Sequence, residues 1–258
     1  MAAEIQGGSN IIKPLKWYKK LRTGKGRKET GMFLVEGPRA VNQVLKCHPE
    51  RIHEILIDEK AVIRRAKKVP VREITSRQLA SLVSSRTSQG ILAVVTLPPQ
   101  SDSTELPEDC GTKILLLESV QDPGNVGTLI RTAAAFNFSG VILSDTCADP
   151  FAPKAVRASA GSLLAVWIRR TINYLSLAAS LKRKGFTVVA ADTHGKEAVD
   201  RLSEKRLVFL LGSEGKGLSP AARELADRVV TIPYNAEEVE SLNVAAAGAI
   251  GMFVVTGS

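Results

Sequence analysis

The second half of the chain is constrained most by an alternation of strand-length apolar runs and helical stretches. The apolar runs lie at 113–120, 141–143, 187–191, 207–211 and 229–232. Helical periodicity separates some of these runs, at 127–136 and 174–184. Strands joined by crossover helices lie parallel and are covered on both faces, so this order predicts a largely parallel sheet in an α/β fold.

The first half of the chain alternates shorter elements of the same two kinds. Predicted strands lie at 32–36, 52–57, 71–74 and 91–96, and predicted helices at 38–46, 60–68 and 78–83. A proline- and serine-rich stretch without apolar periodicity follows and is typical of a linker. Since 258 residues exceed one average domain, we predict a basic N-terminal segment at 1–31, an α/β domain at 32–97, a linker at 98–112 and a second α/β domain at 113–258.

Positive charge is concentrated before the first predicted strand. The chain carries 35 Lys and Arg against 26 Asp and Glu, a net charge of +9, which favours a polyanionic partner. Lysines and arginines at 10–31 surround Trp17 and Tyr18, a composition that can grip phosphates and stack on bases. The same segment also reads as a solvated helix whose aromatic residues pack inward. The sequence leaves both interpretations open, and the two are compatible.

Cysteine usage and apolar stretches argue against several classes of protein. Cys47, Cys110 and Cys147 are an odd number without a CxxC pair, and no histidine stands at ligand spacing. Neither a disulfide framework nor a metal site is therefore expected. The N-terminal residues lack the apolar core of a signal peptide, and no stretch approaches the roughly 18 apolar residues of a membrane span. We expect a cytoplasmic protein without a membrane partner.

The apolar run at 207–211 ends in a glycine-rich segment, 212–217. Its three glycines can adopt positive φ and let a ligand approach the backbone. The segment differs from the phosphate-binding loop of nucleotidases, which needs Gly-Lys followed by Ser or Thr, because Lys216 is followed by Gly217. A strand end of this kind predicts a binding site, although glycines that serve only a turn explain it equally well.

A second strand end and a helix start follow closely. The run at 229–232 is stopped by Pro233, and residues 241–243 open a helix of small residues whose first turn has free N–H groups. Two loops and one helix start therefore lie close together. Single features of this kind indicate no more than a ligand site in an α/β domain.

Three segments of the second domain resemble, in order, the three motifs of the SpoU (TrmH-like) RNA ribose methyltransferases. They are 121–133 (QDPGNVGTLIRTA), 212–217 (GSEGKG), and Ile232-Pro233 with Ser241-Leu242-Asn243. Residues 33–37 and 87–91 also resemble the substrate-binding domain that precedes the catalytic domain in many SpoU enzymes, a fold shared with some ribosomal proteins. The resemblance implies a trefoil knot in the second domain, a rare exception to unknotted topology.

The resemblance also implies a cofactor and a set of site residues. S-adenosylmethionine would be the methyl donor, with a ribose 2′-hydroxyl as acceptor and no metal. The implied cofactor contacts are Thr193, Leu211, Gly212, Gly217, Ile232 and Leu242. The implied catalytic residues are Asn125, Arg131, Glu214, Ser241 and Asn243. Between Ile232 and Ser241 the chain departs from the commoner family pattern, with a slightly longer loop that carries three acids.

Several of these roles have alternatives. The family's matching arginine is usually assigned to activating the 2′-hydroxyl, yet a guanidinium keeps its proton in almost every protein. Arg131 could instead hold a phosphate, with Glu214 or water as proton acceptor, or Glu214 could orient Arg131. Asn125 could hold that arginine or the ribose. Ser241 and Asn243 also suit helix capping, because Ser and Asn lead the N-cap preference.

The resemblance further implies RNA as the partner and a homodimer formed by the second domain, with the active site at its interface. Ribosomal RNA is favoured over transfer RNA because the separate N-terminal domain resembles that of ribosomal RNA enzymes. Rival interpretations are a non-catalytic RNA-binding factor for ribosome assembly and a knotted methyltransferase that acts on a base. The closing helix at 243–253 has no charged residue, so it must be buried, within one subunit or against a partner.

Overall fold

Two β-sheets organise the chain. The computed structural model describes residues 13–59, 61, 69–84, 88–202 and 204–257. The first sheet has the order β1-β4-β2-β3, with β4 antiparallel to β1 and β2, and β3 parallel to β2. Its strands are β1 Met32–Glu36, β2 Ile52–Ile57, β3 Val71–Glu73 and β4 Ile91–Thr96. The predicted strands are confirmed, β3 being one residue shorter than expected.

Four helices of the described residues accompany the first sheet. They are α1 Leu15–Lys20, α2 Gly24–Thr30, α3 Pro38–Cys47 and α4 Ser76–Leu82, with a 3-10 turn at Pro49–Arg51. Helix α4 begins two residues earlier than predicted because Thr75 and Gln78 form a reciprocal capping box at its start. The predicted helix at 60–68 lies outside the described residues, apart from Ala61.

The second sheet has seven strands, and every pairing in it is parallel, as predicted. Its order is β7-β6-β5-β10-β8-β11-β9. The strands are β5 Lys113–Leu117, β6 Gly140–Ser144, β7 Trp167–Thr171, β8 Thr187–Ala191, β9 Glu197–Ala198, β10 Leu207–Leu211 and β11 Arg228–Thr231. The helices are α5 Pro123–Ala135, α6 Pro153–Ser159, α7 Tyr174–Arg183, α8 Pro220–Leu225 and α9 Val244–Gly257. The trefoil knot stays a prediction.

The segment between β5 and α5 corrects two predicted boundaries. Strand β5 ends at Leu117, three residues before the expected end, and Ser119 then adopts a left-handed conformation with φ of 57°. Helix α5 begins at Pro123, four residues before the expected start. Asp122 caps it by accepting hydrogen bonds from the amides of Gly124 (2.6 Å) and Asn125 (3.0 Å). These shifts bring the Pro-Gly-Asn residues into the first helical turn.

The basic N-terminal segment packs inward where the structure describes it. Tyr18 and Leu21 are buried against Leu79 and Leu82 of α4. The Tyr18 hydroxyl donates to Glu54 (2.9 Å) and accepts from Arg72. Burial, with the Glu54 hydrogen bond, raises the pKa of Tyr18 to about 12. The inward-packing interpretation is therefore confirmed for these aromatic and apolar residues, while the lysines of α1 face solvent.

One apolar core is continuous between the two sheets. Phe33 of β1 contacts Phe151, which precedes α6, with ring centroids 5.3 Å apart. Arg27 pairs with Asp149 and donates to the Leu21 carbonyl, and its side chain is only 6% exposed. The linker is fixed as well, because buried Arg169 of β7 donates to the carbonyl oxygen of Glu105 (2.8 Å). The two sheets therefore form one packed body.

Candidate active site

A cavity of about 630 Å³ opens at the carboxyl ends of β8, β10 and β11. Ligands of parallel α/β sheets bind at this edge, and the volume suits a cofactor. All six predicted cofactor residues line the cavity, namely Thr193, Leu211, Gly212, Gly217, Ile232 and Leu242. The structure thus brings these apolar side chains and the loop backbone together at one cavity, while their contact with a cofactor stays a prediction.

The glycine-rich loop after β10 forms one wall of the cavity. Ser213 and Gly217 exchange backbone hydrogen bonds in both directions, at 2.9 and 3.2 Å, which fold the loop back on itself. A Cβ at Gly212 would lie 2.3 Å from the carbonyl carbon of Gly217. Gly217 itself has a φ of +63°. We expected glycine at 212 for ligand approach, but the loop's own backbone already requires it.

Three predicted catalytic residues meet at one end of this loop. The Asn125 amide group donates to Glu214, and its amide oxygen accepts from Asn243 at 3.4 Å. These side chains come from α5, the glycine-rich loop and the start of α9, which are far apart in sequence. Glu214 also lines the cavity. The structure therefore joins one residue from each of the three motifs.

The start of α9 carries the third motif. Asn243 caps the helix, because its side-chain oxygen accepts from the amides of Ala245 (2.9 Å) and Ala246 (3.3 Å). Ser241 makes no such cap and lines the cavity beside Leu242. Asn243 therefore caps the helix and also contacts Asn125 with the same side chain. Ser241 does not act as a cap.

Arg131 stands apart from the other predicted catalytic residues. It lies six residues after Asn125 on α5, about 9 Å along the helix axis. Its side chain is exposed, and it does not line the cavity. Within the part of the chain that the structure describes, no hydrogen bond or ion pair holds it. Neither Glu214 nor Asn125 is its partner in a single chain.

The sequence analysis missed an acidic residue at the end of β8. The Asp192 side chain is 5% exposed, lines the cavity and pairs with Arg223 at 2.9 Å. Burial alone would raise the pKa of Asp192, but hydrogen bonds from His194 and the charge of Arg223 outweigh burial and lower the pKa. Its position directly after a strand, before Thr193, was the available signal.

The longer loop between Ile232 and Ser241 closes another side of the cavity. Tyr234, Ala236 and Glu240 line it, and the Tyr234 hydroxyl donates to the carbonyl oxygen of Glu240 at 2.8 Å. The departure from the family pattern therefore lies directly at the candidate cofactor site. Its acids add negative charge to that side.

Helix α9 is only half covered by its own chain. Gly248 and Gly251 pack against Leu211 and Phe209, where an added Cβ would lie within 3 Å of either side chain. On another face, Ile250 is 41% and Phe253 64% exposed. The small residues therefore serve the subunit's own core, whereas an apolar face is left at the surface. A single chain therefore leaves part of this helix exposed, and burial against a partner subunit stays a prediction.

The described residues offer neither a group of metal ligands nor a membrane-spanning helix. Within the described ranges, no three His, Cys, Asp or Glu side chains are grouped so that they could hold a metal ion. None of the helices in those ranges has the length and apolar character needed to cross a bilayer. Cys110 and Cys147 are buried, and burial raises the pKa of the Cys147 thiol.

Comparisons with known proteins give the class. Residues 112–253 match the SpoU rRNA methylase family, and residues 34–101 match the RNA 2′-O ribose methyltransferase substrate-binding family. The chain is 32% identical to the 23S rRNA (guanosine(2553)-2′-O)-methyltransferase RlmP of Bacillus subtilis, over 98% of this chain and 99% of the relative.

Solved structures are also similar. The SpoU methyltransferase AviRb of Streptomyces viridochromogenes, in complex with the cofactor AdoMet, superposes with a TM-score of 0.81 at 25% identity, covering 94% and 96% of the two chains. An AdoMet-bound rRNA methyltransferase of Sinorhizobium meliloti gives 0.77 at 26% identity, covering 96% and 95%. With the cavity described above, these matches define an RNA methyltransferase that uses S-adenosylmethionine (AdoMet). The chain belongs to the SpoU rRNA methylase family.

Proposed function

We propose that this protein methylates a ribose 2′-hydroxyl of ribosomal RNA. The observation that carries the proposal is the contact of Asn125, Glu214 and Asn243 at the edge of the cavity. This contact joins the three motifs that resemble those of the ribose methyltransferases. The similarity to RlmP, whose name specifies a 2′-O position in 23S rRNA, supports both the ribose and the ribosomal assignment.

The residues of the cavity fit S-adenosylmethionine in shape and charge. Leu211, Ile232 and Leu242 offer apolar surface, and the glycine-rich loop offers backbone groups. Asp192 and Glu240 supply carboxylates on the walls, which suit the ammonium and sulfonium charges of the cofactor. Arg223 and Lys216 are lining cations that suit its carboxylate. We propose that the six predicted lining residues hold the cofactor here.

The chain's own residues then have to orient the ribose and take one proton. When bound, the cofactor supplies a methyl group already activated by positive sulfur, so no metal is required. We propose that a Glu214 carboxylate oxygen accepts the 2′-hydroxyl proton, directly or through water, while Asn125 holds that carboxylate in place. Arg131 keeps its proton and binds the adjacent phosphate, which fixes the ribose and stabilises the developing alkoxide. Ser241 and Asn243 contact the ribose or the cofactor from the third motif.

We propose a homodimer that forms through the second domain. The exposed apolar face of α9, with Ile250 and Phe253, supports this interface, since such a face is unfavourable in water. Phe253 also contacts Phe136 at the end of α5, with centroids 6.0 Å apart. The face therefore continues onto the helix that carries Arg131. Dimerisation would bring Arg131 close to the partner subunit, which explains why no described residue of its own chain holds it.

We propose that residues 32–97, with the lysine-rich surface of α1, provide most RNA contacts, and that 113–258 carries catalysis. The match of 34–101 to a substrate-binding family supports this division. Solvent-facing Lys16, Lys19 and Lys20 supply positive charge beside the first sheet.

The proposal is tested by incubating the protein with S-adenosylmethionine carrying a deuterated methyl group, using ribosomal RNA and transfer RNA in parallel. Enzymatic digestion and mass spectrometry should place the label on a 2′-O-methyl nucleoside from ribosomal RNA. Limited alkaline hydrolysis should then skip one position, because a methylated 2′-oxygen cannot attack the neighbouring phosphate. Label on a base, or only in transfer RNA, would overturn the ribose or the ribosomal assignment respectively.

A further inference from the structure

Glu118 is a buried carboxylate that the proposed reaction does not use. It follows β5 directly, and it is 4% exposed. Its side chain has no ion pair with any residue in the described ranges. Burying a carboxylate without a cation is costly unless hydrogen bonds replace those of water. Glu118 must therefore be held by hydrogen bonds.

Three hydrogen bonds satisfy the Glu118 carboxylate. One oxygen accepts from the hydroxyls of Tyr174 and Ser219, the latter at 2.7 Å, and the other accepts from the Ser219 amide at 2.7 Å. Ser219 is the N-cap of α8, since its hydroxyl oxygen accepts from the Ala222 amide at 3.2 Å. Burial and the Glu118 hydrogen bond together raise the pKa of Tyr174, so this hydroxyl remains a donor.

The backbone of Glu118 holds the other end of the same loop. Its amide donates to the carbonyl oxygen of Leu211 at 2.9 Å. Leu211 directly precedes the glycine-rich loop at 212–217. Ser219 follows the loop by two residues. One residue therefore fixes both ends of the cavity wall that contains Glu214. Through α8, which Ser219 caps, it also fixes Arg223 on the cavity side.

We infer that Glu118 is a positioning residue for S-adenosylmethionine binding, acting through Leu211 and Ser219 on the glycine-rich loop. It does not touch the cavity itself. The inference rests on the proposed use of this cavity by the cofactor. Loss of the carboxylate releases the Ser219 end of the loop, so affinity for the cofactor falls while affinity for RNA does not.

The test compares Glu118→Gln with Asp227→Asn. Asp227 also accepts a backbone amide, that of Val188 at 2.9 Å, but at the amino end of β8, away from the cavity. Both variants remove one carboxylate and should lower the melting temperature. At a temperature where both are folded, calorimetry should give about tenfold weaker S-adenosylmethionine binding for Glu118→Gln only. The KM for RNA should stay unchanged in both.

Two milder variants keep the test decisive if Glu118→Gln does not fold. Tyr174→Phe and Ser219→Ala each remove one donor to the carboxylate and should weaken cofactor binding by a smaller factor. Folded variants at 118, 174 and 219 with cofactor affinity within about twofold of wild type would overturn the inference. Absence of binding by the wild-type protein would overturn the proposed use of the cavity instead.

Discussion

The cofactor cavity and the exposed surface of α5 and α9 differ in how far one chain completes them. In the cavity, Asp192 is paired with Arg223, and Glu214 is held by Asn125. On the helical surface, Arg131 has no partner in the described part of the chain, and Phe253 is 64% exposed. From this difference we propose that a single chain can bind the cofactor, whereas methyl transfer needs groups that meet RNA or a second subunit.

Removal of Arg131 should have the largest effect on methyl transfer. We expect Arg131→Ala to slow methyl transfer on the order of 10²- to 10³-fold, because the positive charge proposed to bind the phosphate and stabilise the developing alkoxide is lost. Cofactor affinity should hardly change, since Arg131 does not line the cavity. Arg131→Lys should also be slow, because an ammonium lacks the planar fork. Single-turnover rates and calorimetry measure the two effects.

A charge-matched control is Arg183→Ala, an exposed arginine at the end of α7. It should retain the wild-type rate. Asn125→Ala, which frees Glu214 without removing a charge, should show a milder loss than Arg131→Ala. A rate near wild type in Arg131→Ala would show that the arginine is not part of catalysis.

A substitution in the glycine-rich loop should instead weaken cofactor binding. Gly212→Val places a side chain into the backbone of Gly217, so cofactor affinity should fall about 10- to 100-fold, as for an overpacked site. Gly24→Val is the control, because a Cβ there would meet only the ends of the Arg27 and Asp149 side chains, at 3.8 Å and beyond, and no residue of α2 lines the cavity. Calorimetry with S-adenosylmethionine compares the two. Equal affinities would mean that the loop does not form the cofactor site.

A smaller effect is expected from the apolar face. The wild-type protein should scatter light as a particle of about twice the chain mass of 27.7 kDa. Phe253→Glu should halve that mass and lower methylation about tenfold, through the cost of burying an unpaired charge, while cofactor binding persists. Ile172→Glu, which changes another exposed apolar residue on a different element, should remain dimeric. A wild-type monomer that methylates RNA at the full rate would contradict the shared site.

The smallest effect concerns acid stability. The pKa of Asp192 lies below its ordinary value of 3.8, so its ionised form stabilises the folded state above about pH 4, and this contribution is lost as pH falls through the folded pKa. The melting temperature of wild type should therefore drop more steeply below pH 4 than that of Asp192→Asn. The expected difference is about 2 °C, measured by calorimetry across pH 3–6. Parallel curves would mean that Asp192 is not stabilised by its partners.

Local pattern was sufficient for some elements and insufficient for others. The run at 207–211 is continuously apolar and is bounded by Gly212, so its limits were predicted correctly. Strand β7 was missed because Arg169 and Arg170 interrupt its apolar pattern. Those arginines serve distant partners, since Arg169 holds the linker and Arg170 donates to the carbonyl oxygen of Cys147. Burial against a partner that is remote in sequence is invisible to periodicity.

Some contacts of the candidate site could be predicted from the sequence, and others could not. The resemblance to the SpoU motifs pointed to Asn125, Glu214 and Asn243, and the structure places these side chains in contact. The contacts of Glu118 could not be predicted, because its partner Ser219 lies 101 residues further along the chain. A single carboxylate within the predicted run at 113–120 looks like a side chain that faces solvent. Only the folded arrangement shows that it is buried.

The continuous core between the sheets has a consequence for substrate recognition. A Cβ at Gly161, just after α6, would lie 2.7 Å from the carbonyl oxygen of Ala40 in α3, so the two halves meet with no room for a hinge. Phe33 and Phe151 close the same junction. Any RNA-binding surface on the first sheet is therefore held at a constant distance from the cofactor cavity. We expect the choice of target nucleotide to depend on its distance from the RNA segment that the first sheet binds, as well as on local contacts in the cavity.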